Sequence, residues 1–215
     1  MRTIVSAVFI LLTFSGLAQK DTSETKIGIG YTLGFNRSIL QFSENPDFLS
    51  SVTDHVETNA VNAMGASIGI SIDYDWTGNI TQRLSISGLL NQAEIEFQFT
   101  EDRPIAKHVF PIAAEAASYV DYIFGTGKTQ PKAVAGLGFI IRGGDDINEV
   151  PNTTSYDLHL KLGAGLKMFR PKTRLNLDLV YSHSLTNLLL DSDQIHNQAL
   201  GILQKHYVTL IFHGY

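Results

Sequence analysis

The sequence predicts an all-β protein, an eight-stranded antiparallel transmembrane β-barrel with short periplasmic turns and long outer loops. Three observations carry that prediction. Apolar residues recur at every second position through most of the chain, and in a strand every second side chain points to the same face. The connections between the alternating runs are by turns long and short, as in barrels whose turns lie on one side of a membrane and whose loops lie on the other. Finally, the glycines collect on the polar parity of the runs.

The clearest run is Ser155 to His183. Tyr156, Leu158, Leu160, Leu162, Ala164, Leu166 and Met168 share one parity, and Asp157, His159, Lys161, Gly163, Gly165 and Lys167 share the other. After Arg170-Pro171-Lys172-Thr173, a turn because proline fixes φ and cannot donate to a ladder, Leu175, Leu177, Leu179 and Tyr181 alternate with Arg174, Asn176, Asp178 and Ser182. This is a long hairpin with one apolar side.

The same pattern repeats along the chain. Lys26–Asn36 sets Ile27, Ile29, Tyr31, Leu33 and Phe35 against Gly28, Gly30, Thr32, Gly34 and Asn36, and a polar stretch, Arg37–Ala63, reads as a loop. Met64–Trp76 is the second strand and Thr77–Thr81 a turn. The third strand runs from about Gln82 to Phe99, with a parity slip between Gly88 and Gln92 that a β-bulge would produce. Glu101–Lys107 is a loop, and the fourth strand is His108–Phe124 despite Pro111. Pro131–Ile141 is the fifth strand and Arg142–Thr154 a loop. The hairpin supplies strands six and seven, Ser184–Gln204 is a loop, and His206–Phe212 is the eighth strand.

Residues 1–18 read as a cleaved export signal: Arg2, an apolar Ile4–Phe14, and Gly16-Leu17-Ala18 before a cut at Gln19 or Lys20. Residues 19–215 form the barrel domain, a length that suits one all-β unit. No later segment holds the roughly 18 apolar residues of a membrane helix. The absence of cysteine excludes disulfides, thiolate metal sites and cysteine nucleophiles. A net charge of −5 argues against nucleic acid as a partner.

Alternation alone does not separate a membrane barrel from an exported soluble, lipocalin-like barrel. Gly28, Gly30, Gly34, Gly65, Gly69, Gly136, Gly138, Gly163 and Gly165 all lie on the polar parity. A water-facing surface has no use for glycine, which weakens strands, whereas the tight interior of a small barrel does. The polar face therefore points inward and the apolar face meets outer-membrane lipid. Aromatic residues near the strand ends fit the girdles of such barrels.

The predicted lumen holds Arg83, Glu94, Glu96, Glu115, Asp157, His159, Lys161, Lys167, Arg174 and Asp178. Buried charges must be paired, so these are expected to neutralise one another and fill a closed barrel. His183-Ser184, beside Thr186 and Asn187, is the one pair with catalytic chemistry, since a histidine can activate a hydroxyl. Some lipid A deacylases are eight-stranded barrels with His-x-Ser-Asn at that place; the order here is His-Ser-Leu-Thr-Asn, and an ordinary strand end is the better account. Asp145-Asp146 and Asp191-Ser192-Asp193 do not specify the six or more oxygens of a Ca²⁺ site. No catalytic, metal or cofactor site is assigned, and no enzymatic activity is expected. The expected partners are membrane lipid and proteins that dock on loops 37–63 and 184–203, because loops on a rigid scaffold commonly carry function.

Several segments together resemble the PorT-like outer-membrane barrel proteins of Bacteroidota: GIGYTLGFNRS, RLSISGLLNQAEIEF, VFPIAAEAASY, AVAGLGFIIRGG, YDLHLKLGAGLKM and LNLDLVYSHSLTNLL. The resemblance covers most of residues 19–215 and implies a structural or interaction component of the envelope, an accessory of a type IX-like secretion complex, with no catalytic residues. Two departures are visible. Ala93 stands where the family usually has glycine, and the final segment runs past Phe212 by His-Gly-Tyr.

Overall fold

The computed structural model describes residues 27–46, 57–91, 93–98, 105–109, 112–142, 153–170, 173–190 and 198–214. The export signal 1–18 with its cut, Pro111, the Asp145-Asp146 and Asp191-Ser192-Asp193 clusters and the Arg174 side chain lie outside the described residues. The strands are β1 (Ile27–Glu44), β2 (Glu57–Val61), β3 (Met64–Thr77), β4 (Ile80–Asn91), β5 (Ala93–Gln98), β6 (Ile105–Val109), β7 (Ile112–Ile123), β8 (Thr129–Arg142), β9 (Tyr156–Arg170), β10 (Thr173–Ser184) and β11 (Leu200–Gly214). Eight of them close into a barrel in the order β1-β11-β10-β9-β8-β7-β4-β3, every pair antiparallel. The other three form a small sheet in the order β2-β5-β6.

The alternation predicted from sequence is the alternation of burial. Ile29, Met64 and Ile68 on the outward parity are more than 70% exposed, while Ser38, Arg83 and Asp178 on the inward parity are almost fully buried. All nine glycines of the polar parity point inward. Two of them show why: a Cβ on Gly165 would run into the Asp178 carboxylate, and one on Gly138 into Lys161 Cε. Glycine there makes room for a charged neighbour.

The register fixes the shape. A row of cross-strand partners that starts at Arg37 passes through Val208, Tyr181, Leu162, Ala135, Val120, Gln82 and Tyr74 and returns to β1 at Ile27, a shift of ten residues. With about 3.3 Å per residue and 4.8 Å between strands, that shift over eight strands tilts each strand by about 40° from the barrel axis. One residue then climbs about 2.5 Å, and each step along the row from β1 toward β11 descends about 3 Å.

With that correction, residues at equal height form two rings on the outside. Near the short turns are Ile27, Leu175, Met168, Tyr122 and Tyr74; near the long connections are Met64, Leu90, Ile112, Ile141 and Leu158. The rings are about ten residues apart along a strand, or about 25 Å, the height of the apolar band of a membrane barrel. The outward positions between them carry no charge. Tyr74 stacks edge-on to Trp76 and Tyr122 to Phe124 at the turn end, and Phe139 stacks on Tyr156 at the other.

Three connections are short. Gly78-Asn79 joins β3 to β4, where Thr77 Oγ1 accepts from the backbone N–H groups of Asn79 and Ile80. The turn between β7 and β8 needs Gly125, whose φ of 80° is left-handed. Residues 171–172 join β9 to β10. The other four connections emerge at the opposite, loop end.

Four boundaries differ from the sequence reading, for one reason. The stretch 37–63 is not all loop: β1 continues to Glu44, paired with β11 as far as Leu200, and β2 follows. Above the apolar band an outward position has no lipid to face, so Gln41 and Ser43 replace the leucines while Leu40 and Phe42 keep the inward parity. The last strand likewise begins at Leu200, not His206. The slip near Gln92 is not a bulge in one strand: β4 ends at Asn91, and β5 belongs to the small sheet, paired with β2 and β6. The expected fourth strand is two, β6 outside the barrel and β7 within it.

Candidate functional site

The lower lumen, toward the turns, is built around Asp178 of β10. Arg83 on β4, diametrically across the ring, donates from Nη2 to Asp178 Oδ2 at 2.8 Å. Lys132 on β8 lies 2.9 Å from Asp178 Oδ1 and 2.6 Å from Asp121 Oδ2 on β7. All four side chains are nearly inaccessible. Two cations and two carboxylates from four strands thus satisfy one another, which is the condition for keeping charge out of water. Nearer the turns, Lys167 lies 3.6 Å from Asp75, which also accepts from Thr81 Oγ1.

His213 completes this cluster from β11. Arginine can only donate, so the approach of Arg83 Nη1 to His213 Nδ1 at 3.4 Å, with Asn176 Nδ2 at 3.1 Å, makes Nδ1 an acceptor. Nε2 then carries the proton and donates to Ser71 Oγ at 2.8 Å. Its Nδ1 also faces the Asp73 carboxylate of β3 at 3.7 Å, and the histidine acts as a polar strut across β3, β4 and β10.

Midway up, Lys161 lies 2.6 Å from Glu115 and donates to Ser182 Oγ at 3.0 Å. The Tyr119 ring separates the two charge clusters: the Arg83 guanidinium sits 4.7 Å from its centroid on one side and Lys161 Nζ at 5.8 Å on the other. Between them is a cavity of about 30 Å³ lined by Thr32, Arg83, Ser85, Glu115, Tyr119 and Lys161. That is room for one or two water molecules. The lumen is filled by side chains, as eight strands require.

At the loop end the catalytic candidate separates. His183 and Ser184 are consecutive residues of one strand and therefore point to opposite faces. His183 lies outside and stacks on His206, with ring centroids 4.6 Å apart and planes 3° from parallel. Ser184 points inward, is fully buried, and its Oγ donates to Asp157 Oδ1 at 2.8 Å. Asp157 Oδ2 is 2.7 Å from His159 Nε2. A hydrolytic triad puts the imidazole between hydroxyl and carboxylate; here the carboxylate is in the middle, and among the described residues no imidazole is hydrogen-bonded to the serine oxygen to take its proton. Thr186 and Asn187 serve the loop itself, Thr186 Oγ1 accepting from Leu158 N–H and Asn187 Oδ1 from Leu203 N–H.

Of the predicted lumen residues, Arg83, Glu115, Asp157, His159, Lys161, Lys167 and Asp178 are there. Glu94 and Glu96 are not: they lie on the outward face of β5 in the small sheet, because the parity slip moved them out of the barrel. Sequence reasoning passed over Asp121, Lys132 and His213. Lys132 and Asp121 share the parity of their buried neighbours, so parity alone would have found both.

The small sheet caps the loop end. Ala93, Ile95 and Phe97 of β5 are fully buried and pack with Leu40 of β1, Leu188 of the β10–β11 connection, and Leu200 and Leu203 of β11. Phe42, Ala60 and Leu189 border this core. Leu40 N–H donates to Asn62 Oδ1, Ser38 N–H to Ala63 O and Leu188 N–H to Leu203 O, tying the connections together. The two loops predicted as separate partner surfaces, 37–63 and 184–203, thus meet in one apolar core with the β4–β7 connection.

No family model matches the chain, and no curated protein matches it. Among solved structures the chain is similar to Neisserial surface protein A, at 12% identity and a TM-score of 0.44 over 86% of this chain and 97% of that one. It is similar also to the outer membrane protein OprG of Pseudomonas aeruginosa, at 9% identity and a TM-score of 0.43 over 88% of this chain and 93% of that one. The transport unit of the autotransporter AIDA-I from Escherichia coli matches at 9% identity and a TM-score of 0.36, over 94% of this chain and 95% of that one.

Proposed function

We propose that the protein is a non-enzymatic outer-membrane barrel that holds a folded cap at the cell surface for a protein partner. The uncharged outward band about 25 Å high supports the membrane reading, since lipid is the solvent that such a surface needs. The export signal at 1–18 belongs to the same proposal. So does membership of the PorT-like barrels, with a role as accessory to a type IX-like secretion or envelope complex.

One observation carries the partner role. Two of the long connections contribute the strands of a small sheet, and with Leu188 of a third its residues form an apolar core with Leu40, Ile95, Phe97 and Leu203. A scaffold that only spans a membrane has no need of a second core outside it, whereas a binding surface gains from being pre-ordered.

The experiment replaces the 45–63, 92–111 and 185–199 connections by short turns. The shortened barrel is expected to keep heat-modifiable gel migration and to lose the partner recovered with the wild type after cross-linking; retention of the same partner overturns the reading. Ser184→Ala is expected to leave acyl-chain release from outer-membrane lipid unchanged, and a loss of such release would assign an enzyme.

A further inference from the structure

The loop-end ring of the apolar band is interrupted at one place. At the height of Met64, Leu90, Ile112, Ile141 and Leu158, three adjacent strands carry Arg37 on β1, His206 on β11 and His183 on β10. The gap follows from the register: Arg37 pairs with Val208, Ile39 with His206, and Ser182 with Tyr207, so His183 faces His206 across the β10–β11 pair. Each of the three is on the outward parity, where the other strands show hydrocarbon.

The three side chains have different parts. Arg37 is exposed, and no carboxylate among the described residues pairs with it. His206 is buried and committed: the Ser184 backbone N–H donates to its Nδ1 at 3.0 Å, so its Nε2 carries the proton and donates to Gln41 Oε1 at 3.1 Å. It is a fixed, neutral plate. His183 lies flat against that plate, half-exposed, with its ring nitrogens unengaged among the described residues and Tyr181 6.2 Å below. A guanidinium, an oriented imidazole edge and a tyrosine therefore share one patch at the boundary between hydrocarbon and headgroups.

We propose that Arg37 and His183, with His206 as backing, form a binding site for the phosphomonoester headgroup of an anionic lipid in the loop-side leaflet. Guanidinium binds phosphate through two parallel N–H donors, and a lipid phosphate sits at the height where a charged outward side chain costs least. The acyl chains would lie along Phe35, Val208 and Tyr181, which continue the same strands into the band. This rests on the barrel spanning a membrane but not on the cap having a partner.

The barrel is placed in phosphatidylcholine nanodiscs doped with either phosphatidate or diacylglycerol of the same chains, and bound lipid is read by native mass spectrometry. The wild type is expected to retain phosphatidate about tenfold over diacylglycerol, the effect of a charge-assisted pair of hydrogen bonds. The Arg37→Gln/His183→Gln protein is expected to lose that preference while its gel migration still shows a folded barrel. Equal retention of the two lipids by the wild type, or an undiminished preference in the double variant, overturns the site. Inorganic phosphate that shifts the Arg37 side-chain resonance as far as phosphatidate does overturns the lipid assignment in favour of a free anion. A barrel recovered outside the nanodiscs removes the membrane reading itself.

Discussion

Asp178 accepts from Arg83 and Lys132 at once, and both cations are sealed from water. Asp178→Ala leaves two buried cations sharing Asp121, so the variant is expected to lose about 3–5 kcal/mol of stability, measured by urea unfolding in lipid vesicles. The quadruple change Arg83→Met, Lys132→Met, Asp178→Leu and Asp121→Asn removes these charges together and is expected to recover most of that loss. Gly165 tests the same spot from the neighbouring strand. A methyl group there meets the Asp178 carboxylate, and Gly165→Ala is expected to cost about 1–3 kcal/mol by the same assay, although alanine is the better strand former. The charges at this centre were legible as residues of inward parity. Their partners were not, because Arg83 and Asp178 are 95 positions apart and only the closure of the ring sets them face to face.

At the scale of elements, barrel and cap are separate cores joined by β1 and β11, and they are expected to fail separately. Phe97→Ala deletes a fully buried ring from the cap, a local cost of about 3–5 kcal/mol. Protease is then expected to cut within 92–111 while heat-modifiable migration persists; loss of both together would show a single cooperative unit. The cap was hidden from sequence reading by the rule that found the barrel. That rule looks for apolar residues outward, and beyond Phe35 on β1 and Val208 on β11 Arg37, Gln41, Ser43, Gln204 and His206 interrupt that parity. The inward parity of Ser38, Leu40 and Phe42 continued without a break, and it was the better guide. The Gln92 slip held the most information: two parities in one run meant two sheets.

For the whole molecule, the ten-residue shift gives an expected strand tilt of about 40° by polarised infrared spectroscopy of oriented bilayers, and a flatter or steeper tilt would mean another register. A lumen crossed by Asp178–Arg83 and Lys161–Glu115 is expected to pass no ions in planar bilayers. Eight strands, their direction and the closed interior were all legible in the alternation and the glycines. What His213 does was not: read as an overrun past Phe212, it is the strut that β11 brings to the Arg83 cluster when the ring closes. The cap core has a consequence for assembly. Leu40 and Leu203 become neighbours only when the first and last barrel strands meet, and the core that Ile95, Phe97 and Leu188 share with both is complete only then. The cap is therefore a certificate of completion. An antibody or partner that recognises its folded surface will count finished barrels and ignore every chain still open, however much strand it has already formed.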